Sequence, residues 1–226
     1  MTLAAILQEA HGAVAAESWR TPFIYVAYLV ASFLFLLGIR GLTHPDTARR
    51  GTTLAAIGML VAVIGTLVNE KIISFELIAV GLVVGTVIGI PMGLKIPMTK
   101  MPERIALSHA FGGLAVALVG VVEYLQGNAG HDKFHMGATG FEVLLGGLTF
   151  TGSLMAFGKL QGILPGKPST FPFQNFITVG AMIVAVGAVI FLIFQPGVKP
   201  VFYGMSGLAL ALGVLLVLPI GGADMP

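Results

Sequence analysis

Seven continuous apolar stretches, each long enough to cross a membrane, constrain this chain more than any other feature. They lie at Thr21–Leu42, Thr52–Val68, Phe75–Leu94, Arg104–Leu125, Thr139–Gly158, Phe173–Phe194 and Val201–Ile220. A helix rises roughly 1.5 Å per residue, so about 20 apolar residues span a hydrocarbon core about 30 Å thick. A transmembrane barrel would need alternating segments of about 10 residues, and these runs do not alternate. Only 10% of the residues are charged, too few to clothe a soluble globule, which carries about 25%. The expected fold is therefore an all-α membrane protein, a bundle of seven transmembrane helices. Gly and Pro mark the connections at Thr43–Pro45, Gly162–Pro172 and Gln195–Pro200.

The amino-terminal residues read differently. Within Met1–Glu17, Leu3, Ile6, Leu7, Ala10 and Val14 share one helical face, with Gln8, His11 and Glu17 elsewhere. A short amphipathic helix at the membrane surface is expected over residues 1–20, ahead of a membrane domain over 21–226. A signal peptide is the rival, but the segment lacks a basic start. Orientation follows from the loop cations. Arg40, Arg49, Arg50, Lys95, Lys100, Arg104, Lys159 and Lys167 fall on one side; Arg20, Lys71, Lys133 and Lys199 fall on the other. Eight against four predicts the N-terminus outside and the C-terminus in the cytoplasm. The basic residues form no cluster, so nucleic acid is not an expected partner, whereas membrane lipid is. The absence of cysteine rules out disulfides and thiolate chemistry within this sequence.

Small residues recur on several faces. Gly81, Gly85, Gly89 and Gly93 follow one another every four residues, a pattern expected to be buried against another helix. Gly112, Gly113, Ala117 and Gly120 in the fourth span, and Ala181, Ala185 and Ala188 in the sixth, suggest the same close packing. Polar residues inside spans are more informative, because each must find a partner or a purpose in hydrocarbon. His109 lies within the fourth span, on the face of Gly113 and Ala117. An imidazole titrates near neutral pH and can pass a proton between its two nitrogens, although a histidine bonded to a carbonyl is the plainer reading. Thr149, Thr151 and Ser153 crowd the fifth span, where hydroxyls usually bond back to the preceding turn. Glu123 and Glu142 flank one outer loop and are expected to face water. His131 and His135 have i,i+4 spacing, but only Asp132 could complete a metal site, and none is expected.

No phosphate-binding loop, nucleophile elbow or zinc motif occurs. A retinal pump needs a lysine in its last span, and Val201–Ile220 has none. A secondary transporter would place its site at a broken helix, for which Pro91 is the candidate. A purely structural anchor is the third possibility; it would leave His109 without a role.

The segment Met101-Pro-Glu-Arg-Ile-Ala-Leu-Ser-His109-Ala-Phe111-Gly-Gly-Leu-Ala resembles the membrane domain of the proton-translocating NAD(P) transhydrogenase beta subunit. So do Thr149-Phe-Thr-Gly-Ser153-Leu-Met-Ala-Phe-Gly-Lys159-Leu and Gly221-Gly-Ala-Asp224-Met-Pro226, and Gly38–Leu42 through Gly58 resembles its first inner loop. The resemblance implies hydride transfer between NAD(H) and NADP(H) coupled to proton translocation across a bacterial inner membrane. NAD(H) would bind a separate alpha-type subunit, and NADP(H) a soluble domain following the last beta-subunit helix, so neither nucleotide is expected on this chain. The family's intramembrane histidine maps to His109, its channel serine to Ser153 and its end-of-helix aspartate to Asp224. Two further helices, one carrying an asparagine of the proton path, and the nucleotide domain are implied beyond Pro226. A homodimer of the complex is implied as well. The outer loop Gly127–Ala138 departs from the family pattern, so His131 and His135 inherit no role.

Overall fold

A computed structural model describes residues 3–68, 75–95, 97–127 and 132–222, with side chains of the first helix described from Trp19 onward. Seven α-helices and one short 3-10 turn, Met98–Lys100, make up the described secondary structure. The helices are α1 Leu3–Leu42, α2 Pro45–Leu67, α3 Phe75–Leu94, α4 Met101–Leu125, α5 Lys133–Leu160, α6 Gln174–Phe194 and α7 Lys199–Val217. All seven are long and apolar enough to cross a membrane, α1 through its portion Trp19–Leu42. The segment read as a surface helix is helical and continues directly into that span.

Boundaries shift where local chemistry outweighs hydropathy. Helix α2 starts at Pro45 rather than Thr52, because Pro occupies its first turn and Asp46 faces the positive end of the helix dipole. Helix α5 starts at Lys133 rather than Thr139, and α7 stops at Val217 rather than Ile220. Gly162, at φ +75°, takes the left-handed conformation just after α5, as a helix terminator does.

The chain divides into two compact units, Met1–Val87 and Ile88–Pro226. In the first, α1 and α2 form an antiparallel hairpin closed by small residues. A Cβ added at Gly51 would stand 2.6 Å from the Gly38 carbonyl oxygen; one at Gly65 would stand 2.9 Å from Ala27 Cβ. Ala27 and Ala31 are buried in this seam, and Tyr28 and Thr66 join their hydroxyls at 3.0 Å. Such close approach gains dispersion contacts where lipid supplies no hydrophobic drive.

Helix α3 does not follow the expectation for its glycine stripe. None of its residues is buried, and a Cβ at Gly81, Gly85, Gly89 or Gly93 meets nothing within 4 Å. Small residues permit close approach but do not compel it; a complementary surface is also needed. Gly85→Leu should therefore leave the thermal stability of the chain in detergent within about 0.5 kcal/mol of the parent. A clear drop in melting temperature would restore the buried stripe.

In the second unit, α5 packs against α4, α6 and α7, and α6 also packs on α7. Phe202, Met136, Leu144, Leu192, Met205 and Leu212 are its largest fully buried apolar side chains. Helices α4 and α5 run antiparallel. A Cβ at Gly146 would stand 2.6 Å from Ala117 N, and one at Gly113 would stand 2.9 Å from Phe150 N. Gly120 faces Val143, while Gly112 faces open space. Ala185 is fully buried, with Ala181 and Ala188 against the same core, so the alanine face of α6 packs as expected. The Tyr124 ring stacks on Phe202 at 3.7 Å, and its hydroxyl donates to the Pro196 carbonyl at 2.8 Å.

Candidate functional site: the α4–α5 seam and the end of α7

Helix α4 turns Glu103, Ala110, Gly113, Gly120 and Tyr124 inward. The spacing is that of one helical stripe, and the stripe is what α5 covers. His109 stands beside this stripe rather than in it: Ala110 is fully buried and His109 is exposed. His109 lies one turn before Gly113, as the spacing implies, but it is exposed where Gly113 is buried, so it stands at the edge of the packed face. Its ring bonds to no other described residue, so the plain reading of a carbonyl-bonded packing histidine finds no support within this chain. The flank it shares with Gly112 and Val116 is open.

Register brings Ser153 to the same level. The contacts of Gly120 with Val143, of Gly146 with Ala117 and of Gly113 with Thr149 and Phe150 fix how antiparallel α4 and α5 slide past each other. Continued by one turn, the same register sets Ser153 at the level of Ala110, the residue after His109. Ser153 is half-buried and lies one turn beyond Thr149, whose methyl meets the Gly113 position. Thr151 points elsewhere. Its hydroxyl donates to Leu210 O of α7 at 2.7 Å and sits 3.2 Å from Gly147 O. The three hydroxyls are therefore not one polar path: two belong to the α4 side, and the third ties α5 to α7.

At the far end of α5, Lys159 is buried and donates to three carbonyls, Val217 at 3.0 Å, Leu218 at 2.7 Å and Ile220 at 2.7 Å. Sequence reading treated it as a loop cation; its place in the last turn of α5, directly after a buried glycine, was the available signal. Gln174, also buried, donates to Leu215 O at 3.2 Å. Glu103 is buried near the start of α4, and its Oε1 has no partner among the described residues. Asp224, the third candidate, lies outside the described residues.

At the opposite end of α4, His135 Nε2 pairs with Glu123 Oε2 at 2.8 Å, both side chains partly exposed. His131 lies outside the described residues. Among the described residues no three His, Asp or Glu side chains are grouped to hold a metal. Pro91 does not interrupt α3, which runs on to Leu94, so the broken helix expected of a transporter is not found there.

Comparison with known proteins adds identity to this geometry. The profile of the NAD(P) transhydrogenase beta subunit matches residues 24–226. The NAD(P) transhydrogenase subunit beta of Rhodospirillum rubrum is 37% identical over 209 residues, covering 88% of this chain and 44% of the relative. The same subunit from a designated strain of that organism matches with the same figures. The chain thus spans less than half the length of these relatives. With the family profile covering both the His109 and Ser153 segments, this chain belongs to the NAD(P) transhydrogenase beta subunit family.

Proposed function

We propose that this chain is the proton-conducting membrane part of a transhydrogenase, coupling hydride transfer between NAD(H) and NADP(H) to proton translocation. What supports the reading is the register of α4 and α5, which sets the level of Ser153 opposite Ala110, with His109 exposed beside it. His109 accepts a proton on one ring nitrogen and releases it from the other. Ser153 orients the ring or a water beside it, and Asp224 links the end of α7 to the soluble machinery. Hydride transfer takes place away from these helices: NAD(H) on an alpha-type subunit, NADP(H) on a soluble domain of the complete beta polypeptide. This chain binds neither nucleotide. The assembly is a homodimer of the complex in a bacterial inner membrane, with the N-terminus outside and the C-terminus in the cytoplasm.

The test is reconstitution of the complete beta polypeptide with its alpha-type partner in liposomes. Hydride transfer from NADPH to an NAD+ analogue should change the internal pH, and an uncoupler should abolish the change while transfer continues. Normal hydride transfer with no pH change, with or without uncoupler, would refute the proposal.

A further inference from the structure

We propose that the Glu123–His135 pair, with Glu142 behind it, is a proton-loading site: the mouth through which the path serving His109 meets the outer water. The inference rests on the proton-conducting reading and the orientation given above. It starts from the face that α5 turns to α4. His135, Thr139, Glu142, Gly146, Thr149 and Ser153 recur at alternating steps of four and three residues, so they share one side of the helix. No large apolar residue stands among them. The close approaches show that this side meets α4. A Cβ at Gly120 would lie 3.3 Å from Thr139 O and 3.6 Å from Glu142 Cδ, and one at Gly113 would lie 2.9 Å from the Thr149 methyl. A seam in hydrocarbon needs small residues for close packing, but packing alone gives no reason for a carboxylate there.

Glu123 of α4 and His135 of α5 meet at 2.8 Å, each partly exposed, so water reaches the pair. Glu142 stands one turn nearer the middle of α4, its carboxyl beside Gly120 and within electrostatic reach of both. The other charged and titratable groups at this end are engaged elsewhere or exposed. On α5, Asp132 is exposed and the Lys133 ammonium lies 5.4 Å from the Phe194 ring centre. On α4, the Tyr124 hydroxyl donates to Pro196 O. Helix α7 brings Lys199 and Tyr203, both exposed, and α6 has no charged residue. Among the described residues no lysine or arginine pairs with Glu142. The step balances proton by proton. The imidazole takes a proton from water on one ring nitrogen and gives the proton of the other to the Glu123 carboxylate across the 2.8 Å contact. The ring ends neutral and Glu123 ends as a carboxylic acid. Glu142 receives the proton next, and the reverse order releases one outward. The carboxylates also raise the local proton concentration, as a patch of one sign does for any small ion of the other.

The complete enzyme in liposomes tests this. Nucleotides added outside drive only molecules whose soluble parts face outward. The lumen then bathes the His135 end, and its pH is set when the vesicles form. In the direction of hydride transfer that draws protons from the lumen, His135→Ala should lower the initial rate roughly tenfold or more at alkaline lumenal pH. At acidic lumenal pH, where protons are plentiful, it should lower the rate little. Tricine trapped in the lumen, an impermeant buffer that titrates in the alkaline range, should restore the rate, because a mobile buffer does the collecting that the ring did. An exposed ion pair adds little to stability, so the variant should assemble. Glu123→Gln, whose amide can still bond the ring, should repeat the pattern and carries the comparison if His135→Ala does not assemble. Rates that match the parent at every lumenal pH would overturn the proposal. So would a loss that is the same at every pH and unmoved by Tricine, the mark of a structural role. If the parent moves protons while the variants match it, the mouth alone falls. A parent that transfers hydride and moves no protons would overturn the proton-conducting reading, and this inference with it.

Discussion

In the complete enzyme proposed above, His109→Ala should lower proton pumping and net hydride transfer between NADP(H) and NAD(H) together, by roughly a hundredfold or more, the scale of losing a positioned proton-transfer group. His109 sits about 12 Å along α4 from its start, within a helix long and apolar enough to cross a membrane. A tightly coupled machine cannot finish its redox cycle when its proton step is blocked. Exchange between nucleotides already bound needs no proton to cross, so it should fall much less. Ser153→Ala should be milder than His109→Ala in every assay, because a water can occupy the place of a hydroxyl. The pattern across assays is what discriminates. Normal pumping by His109→Ala would return His109 to a packing role and leave the proton path elsewhere. Equal loss in every assay, exchange included, would show damage to the fold rather than to proton transfer.

Gly146→Leu should strongly destabilise the second unit. Its first added carbon would stand 2.6 Å from Ala117 N and 2.8 Å from the Gly113 carbonyl, both backbone atoms of α4. A flexible side chain could move aside; a helix backbone cannot do so without taking its whole seam with it. Overpacking of this kind costs about 3 kcal/mol or more, well above the roughly 1 kcal/mol of helix propensity that losing a glycine returns. The same substitution at Gly85 meets nothing, so the pair isolates packing from chemistry. Melting the two variants in one detergent should show a large drop for Gly146→Leu and almost none for Gly85→Leu. Equal melting temperatures would mean that α4 and α5 do not touch at Gly146.

Much of this was legible in the sequence because hydrocarbon imposes one rule on every span. Backbone groups must bond internally, so long apolar runs become helices, and the runs around His109 and Ser153 became α4 and α5. Helix faces were harder to read. Four glycines in register looked like a seam in α3, yet the close seams form at Gly51, Gly113 and Gly146, where a second small or apolar surface faces the glycine. One helix alone does not say what stands opposite it. The side of α4 that carries His109 is legible from its spacing to Gly113, but only the register with α5 shows that the packed face is centred nearer Ala110 and leaves His109 at its exposed edge. The partners of Lys159 were not legible. A lysine at the end of an apolar run resembles any loop cation until the carbonyls of a helix 58 residues later are seen around it.

That separation of 58 residues also orders the events of synthesis. When Lys159 is added to the growing chain, α6 and α7 have not been made, and the ammonium has none of its carbonyls. In the proposed orientation it is then a bare cytoplasmic charge of the kind that holds a nascent helix end on the inner side. Once Ile220 has been made and α7 has inserted, the same charge is withdrawn from water and becomes a latch. In that orientation one residue would serve first as an address and then as a fastener. A nascent chain stalled before Val217 should expose Lys159 to amine-reactive reagent, and the finished chain should hide it.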